Sequence, residues 1–146
     1  MNRTTNQERR TAPASLPELI RTKEALLERL LSVSERQLKF VQEGDVSTLL
    51  QLLGHKQKLF DECMRIESRL EPYRSVPPEK RRWKSEAERL ETAAAINRSA
   101  DLHAEIIRLD EQSTQMMSEQ RSAVETQLRR IQQGSRLHAA YSKQKR

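Results

Sequence analysis

The chain has 146 residues, enough for one domain, with 33% charged residues, 3% aromatic residues and three glycines. This composition excludes a thick aromatic core, and its wealth of Leu, Glu, Arg, Lys, Gln and Ala points to long helices in an all-α fold. The net charge is +6, but residues 72–84 and 134–146 carry +4 each, while 16–71 carry −1 and 85–133 carry −3; a nucleic-acid binder more often shows a basic stripe along one face, so nucleic acid is disfavoured as a partner.

Residues 1–14 are polar and aperiodic, and a disordered tail is expected there. Ser15-Leu16-Pro17-Glu18 reads as a capping box with proline in the first turn. A first helix is predicted from about Leu16 to Gln42. Leu19, Leu26, Leu30, Val33 and Phe40 form its apolar stripe, widened by Ile20, Leu27, Leu31, Leu38 and Val41. A face that broad can touch two neighbouring helices. Glu43-Gly44-Asp45 breaks the pattern. Gly44 suits a left-handed helix end and Asp45 suits an N-cap, so an antiparallel hairpin follows.

The second helix is predicted from Val46 to Glu71. Its seam is Leu49, Leu52, Leu59, Cys63, Ile66 and Leu70, flanked by Leu50, Leu53 and Phe60. Lys56 interrupts the seam, and its ammonium is expected to reach water past an apolar stem. Gly54 costs roughly 1 kcal/mol relative to Ala inside a helix. Pro72 is expected to end this helix and Pro78 to open the third. With no Pro or Gly until Gly134, a single helix over 78–132 is predicted, roughly 80 Å long. Trp83, Leu90, Ala94, Ile96, Leu102, Ile106, Ile107 and Leu109 are its candidates for packing on the hairpin. The expected architecture is therefore an antiparallel helical hairpin packed on a long third helix, an elongated coiled-coil-like bundle over 15–134. A basic tail, 135–146, follows it.

The residues offer little chemistry. His55, His103 and His138 are far apart and show no metal-ligand spacing, so no metal site is expected. There is no glycine-rich phosphate loop, and no cofactor is expected. Cys63, the one cysteine, excludes an intrachain disulfide and reads as a small hydrophobe on the seam. Nothing predicts a pocket that would tune a carboxylate pair, and an enzyme is not expected. Met1–Arg10 lacks the apolar run of a signal peptide, and no stretch approaches the roughly 20 apolar residues of a membrane span. A cytoplasmic protein without membrane insertion is the expectation.

Two features carry more. In Lys80-Arg81-Arg82-Trp83-Lys84 the tryptophan reads as an anchor on the hairpin, with base stacking as the alternative. Beyond Asp110 the stripe thins to Met116, Met117, Val124, Leu128 and Ile131, and the tail adds Leu137 and Tyr141. Flexible methionines suit a surface that repacks around partner helices. These seven residues are the candidate partner-binding set. The same stripe could instead serve a homodimer.

The run Phe40-Val41-Gln42-Glu43-Gly44-Asp45, followed by Leu49-Leu50, Leu52-Leu53, Lys56-Gln57 and Leu59, resembles the FlgN family of flagellar export chaperones. Leu26-Leu27…Glu35 and Ala139-Ala140-Tyr141 extend the resemblance over most of 16–141. It implies a cytoplasmic chaperone that holds the C-terminal helices of hook-associated flagellar proteins and delivers them to the type III export apparatus. It places the client face on the C-terminal half of the long helix and makes Tyr141 the contact for the export gate. The other readings are a self-associating coiled-coil protein and a small basic nucleic-acid-associated protein.

Overall fold

The structure, a computed structural model, describes residues 14–144. Apart from Ala14, the expected disordered tail lies outside the described residues. The fold is an all-α bundle, with three α-helices among the described residues: α1 (Leu16–Glu43), α2 (Val46–Arg74) and α3 (Glu86–Gln144).

Local chemistry sets most boundaries. Ser15 Oγ accepts from the Glu18 N–H at 3.4 Å and starts α1. Gly44, at φ 70°, ends it in the left-handed conformation that a Cβ would strain. The Gly44 and Asp45 N–H groups donate to the carbonyls of Val41 and Phe40, at 3.2 and 3.1 Å. Asp45 Oδ1 then accepts from the Thr48 N–H at 3.2 Å to open α2. The hairpin is as expected.

Three boundaries differ from expectation. Pro72 lies inside α2, which runs on to Arg74. A proline so near the end forfeits one backbone bond, and the Ser75 N–H still reaches the Glu71 carbonyl at 3.3 Å. The third helix does not begin at Pro78. Pro78–Lys80 is a single 3₁₀ turn, and Arg81 is extended, with ψ 134°. The true start is Ser85, whose Oγ accepts from the Glu88 N–H at 3.1 Å, while the Ser85 carbonyl accepts from Arg89 at 3.2 Å. Ser85-Glu86-Ala87-Glu88 is thus the helix-start signature, and it was legible in the sequence. Finally, α3 passes through Gly134 and runs for 59 residues, about 88 Å at 1.5 Å per residue. Interior glycine costs only about 1 kcal/mol, and no proline follows it to break the helix. The expected basic tail is therefore helical as far as Gln144.

α1 is the central element. Its broad face packs on both α2 and α3, as its sequence predicted, whereas no α2 Cα comes within 8 Å of one in α3 among the described residues. α3 runs parallel to α1: Arg98 pairs with Glu24 (2.6 Å), Ser34 with Asp110 (2.9 Å) and Gln120 with the Val41 carbonyl (2.9 Å). On α2 the predicted seam of Leu49, Leu52, Leu59, Cys63, Ile66 and Leu70 is buried throughout.

The α3 face turned to α1 keeps Leu102, Ile106 and Leu109 of the predicted set but not Leu90, Ile96 or Ile107. Thr92, Ala95, Ser99, Ile106, Leu109 and Ser113 are buried, with Leu102 half-buried between them, in a strict 3-4 spacing. Leu90, Ile96 and Ile107 are 56, 42 and 45% exposed. The seam mixes small side chains (Ala95, Ser99, Ser113) with large ones (Leu102, Ile106, Leu109), and Leu90, Ile96 and Ile107 fall out of phase with it. Trp83 is half-buried and is not among the side chains packed on the apolar core; the aromatic rings packed there are Phe40 and Tyr73, and the Tyr73 hydroxyl donates to the Ala14 carbonyl at 2.8 Å.

Candidate functional site

Because α2 and α3 are separated, the bundle has an open side. There a groove of about 960 Å³ runs between α2 and α3, floored by α1. Leu16, Ile20, Leu27 and Leu30 form the floor. Leu53, Phe60 and Met64 rise from α2, and Ile96, Ala100 and Ile107 from α3. Phe60 and Met64 are each 51% exposed, high for large apolar side chains on a packed bundle. Along α2 the lining spans Leu53 to Arg74, about 32 Å of helix. The groove has the dimensions of the missing fourth helix of a bundle.

Both ends of the groove are polar. Near the hairpin turn, Lys56 Nζ donates to Gln37 Oε1 at 2.7 Å and to Asp110 Oδ1 at 2.6 Å, and Asp110 Oδ1 also accepts from Ser34 Oγ at 2.9 Å. The Lys56 side chain is only 18% exposed. Its ammonium does not reach out to water, as its sequence context suggested, but ties α2 to α3 across α1. Toward the other end, Lys23 pairs with Glu67 at 2.5 Å, and Arg74 joins the same carboxylate. Burial pushes the Glu67 carboxyl up, but the hydrogen bonds from Lys23 and Arg74 outweigh it and hold Glu67 below the usual carboxylate range. The Arg81 guanidinium, from the basic connector, donates to the Tyr73 carbonyl at 3.3 Å, while its Nε and the buried Ser99 Oγ, both at the groove, have no hydrogen-bond partner.

The seven candidate residues fall on two faces of α3. Ile96, Ala100, His103, Ile107 and Asp110 line the groove at alternating spacings of four and three. The same alternation carries on through Thr114, Met117, Arg121, Val124, Leu128 and Ile131. Met117 and the apolar stripe beyond it therefore extend the groove wall in phase. Met116, Leu137 and Tyr141 instead continue the seam that faces α1, one helical position away. Met116 and Met117 are half-buried beside the hairpin turn, whereas Val124, Leu128, Ile131, Leu137 and Tyr141 are 53–72% exposed. Residues 121–144 run past the turn for about 36 Å.

The sequence reading singled out this outer stripe and missed the groove. Its signal was present as the heptad repeat Ile96, His103, Asp110, Met117, Val124, Ile131. Nothing in one helix says that α2 stands apart from α3, so Leu53, Phe60 and Ile107 read as ordinary core.

Among the described residues no group of three or more metal-ligating side chains occurs, and no helix is long and apolar enough to cross a membrane. Cys63 lies in the groove wall, 8% exposed. Burial raises its thiol pKa, and the Glu67 charge adds to this. Native Cys63 should therefore react with iodoacetamide at neutral pH far more slowly than in the urea-unfolded chain. Equal rates would show a thiol open to solvent.

Compared with family models, curated proteins and solved structures, the chain matches none.

Proposed function

We propose that this protein is a binding protein rather than an enzyme, and that it captures an amphipathic helix of another protein in the α2–α3 groove. The observation that carries this reading is the groove itself: an apolar, helix-sized trough with half-exposed Phe60, Met64, Ile96 and Ile107 on its walls. An α-helix laid there would bury its own apolar face against three helices. The in-phase continuation through Met117, Val124, Leu128 and Ile131 gives a longer client further contact along α3.

The resemblance to the FlgN family gives this proposal a setting. In it the client is the C-terminal helix of a hook-associated flagellar protein, the compartment is the cytoplasm, and delivery is to the export gate, with Tyr141 as the contact. Covering a client's apolar helix prevents its premature self-association. A client that is released again calls for moderate affinity, in keeping with a shallow groove and methionine-bearing walls.

The test is calorimetric titration of the full chain with a C-terminal peptide from a hook-associated protein of the same genome. Binding in the micromolar range is expected. Phe60→Glu with Ile107→Glu should abolish it with helicity unchanged by circular dichroism, and Met117→Glu with Leu128→Glu should weaken or abolish it. Undiminished affinity in the groove variant would remove the groove from the reading. Absence of any binding to the wild-type chain would remove the export client.

A further inference from the structure

We infer that the groove is covered, when no client is present, by the projecting end of α3 from a second copy of this chain, and that the exchange is reciprocal. The inference rests on the reading of the groove as a helix site and names what regulates it.

Three observations lead there. First, the projecting end cannot fill its own groove, because α3 is one unbroken helix that carries residues 121–144 away from the hairpin. Second, its length suffices: about 36 Å of projecting helix covers the groove lining, about 32 Å on α2 and about 21 Å on α1 and α3. Third, the groove-facing stripe of α3 carries two opposite charges, Asp110 and Arg121, among its apolar positions. Asp110 uses only Oδ1 in its bonds to Lys56 and Ser34, so its carboxylate has acceptor capacity left. The Arg121 side chain is 82% exposed and pairs only along its own helix, with Glu125 at 3.1 Å.

These two charges choose the register. Parallel pairing of two α3 helices would set Asp110 against Asp110 and Arg121 against Arg121 of the partner subunit. Antiparallel pairing about a two-fold axis between residues 115 and 116 sets each Arg121 against the other copy's Asp110, twice by symmetry. The same register places Met117 opposite Thr114, Val124 opposite Ile107, Leu128 opposite His103 and Ile131 opposite Ala100. A shift of one heptad loses the charge match and leaves Asp110 facing Leu128 in one direction or Thr114 in the other. In the matched register the projecting stripe lies along the groove wall of the other copy and closes its bundle with a fourth helix. The strict repeat supplies the left-handed supercoil that such pairing needs. A client must displace the partner's helix, so an unloaded protein hides its own apolar surface.

The test is sedimentation equilibrium of the full chain without any client peptide, so that its outcome is independent of client binding. The wild type should be a dimer at low micromolar concentration. Arg121→Glu, a change at an exposed position, should weaken the dimer about tenfold or more by setting like charges together. A groove variant (Phe60→Glu with Ile107→Glu) and a projecting-end variant (Leu128→Glu with Ile131→Glu) should each be monomeric, with helicity unchanged. Mixed in equal amounts, they should form a heterodimer, because the intact end of one fits the intact groove of the other. A wild type that is monomeric at high micromolar concentration overturns the inference. So does a mixture that stays monomeric, and so does a groove variant that is still a dimer by itself, the result expected if the two ends simply coil around each other. A monomeric wild type that still binds the peptide would overturn this inference alone, whereas a dimer that binds no peptide would overturn the client reading alone.

Discussion

Leu59→Ala lowers the stability of the bundle by about 2–5 kcal/mol, whereas Leu50→Ala changes it by less than about 0.5 kcal/mol. Both leucines sit on α2, and their helix propensities are the same. Leu59 is 4% exposed and belongs to the apolar cluster that joins α2 to Leu19, Leu26, Leu27 and Leu30 of α1. Its removal loses the transfer free energy of the side chain and leaves a cavity that a two-helix seam closes only partly. Leu50 is 63% exposed near the hairpin turn and has little to lose. Urea denaturation of the two variants measures the difference. Equal midpoints would mean that the α1–α2 seam is not the core.

Removing either member of the Lys56–Asp110 pair has the next largest effect. Asp110→Ala strips the carboxylate that accepts from Lys56 and Ser34 and leaves the ammonium largely enclosed, at a cost of roughly 1–3 kcal/mol. Lys56→Met leaves Asp110 with Ser34 alone and is costly for the same reason. The double variant Lys56→Met, Asp110→Leu should recover most of the loss, because apolar side chains of similar volume need no desolvated charge. The coupling between the two changes measures the pair, and a value near zero in a double-mutant cycle would show that it contributes nothing. This pair ties α2 to α3 where no backbone contact does so. The double variant, though stable, should therefore bind a groove ligand with altered affinity.

The sequence showed the hairpin almost residue by residue, since each boundary is a local event. Ser15, Gly44 and Asp45 act through bonds to backbone groups three to five residues away, which any reader of the chain can anticipate. The α2 seam was equally legible, because a regular stripe of Leu, Cys and Ile has one interpretation. The α3 start was misplaced because Pro78 outweighed the subtler Ser85-Glu88 pair. Its end was misplaced because Gly134 suggested a stop where a helix merely loses about 1 kcal/mol.

What the sequence determined by itself is that this chain is helical, that α1 presents a face broad enough for two neighbours, and that α3 bears an apolar stripe beyond Asp110. Those follow from periodicity and capping, which act within one helix. Only the tertiary structure decided which side chains of α3 meet α1. The seam of Ala95, Ser99, Leu102, Ile106, Leu109 and Ser113 faces α1, because its unbroken 3-4 spacing keeps one phase along the whole contact, and Ile96 and Ile107 lie out of that phase. Ile96 and Ile107 are thereby turned toward α2, and α2 stands too far away to cover them. The groove follows from this separation between two helices, a distance that no pattern within either one encodes.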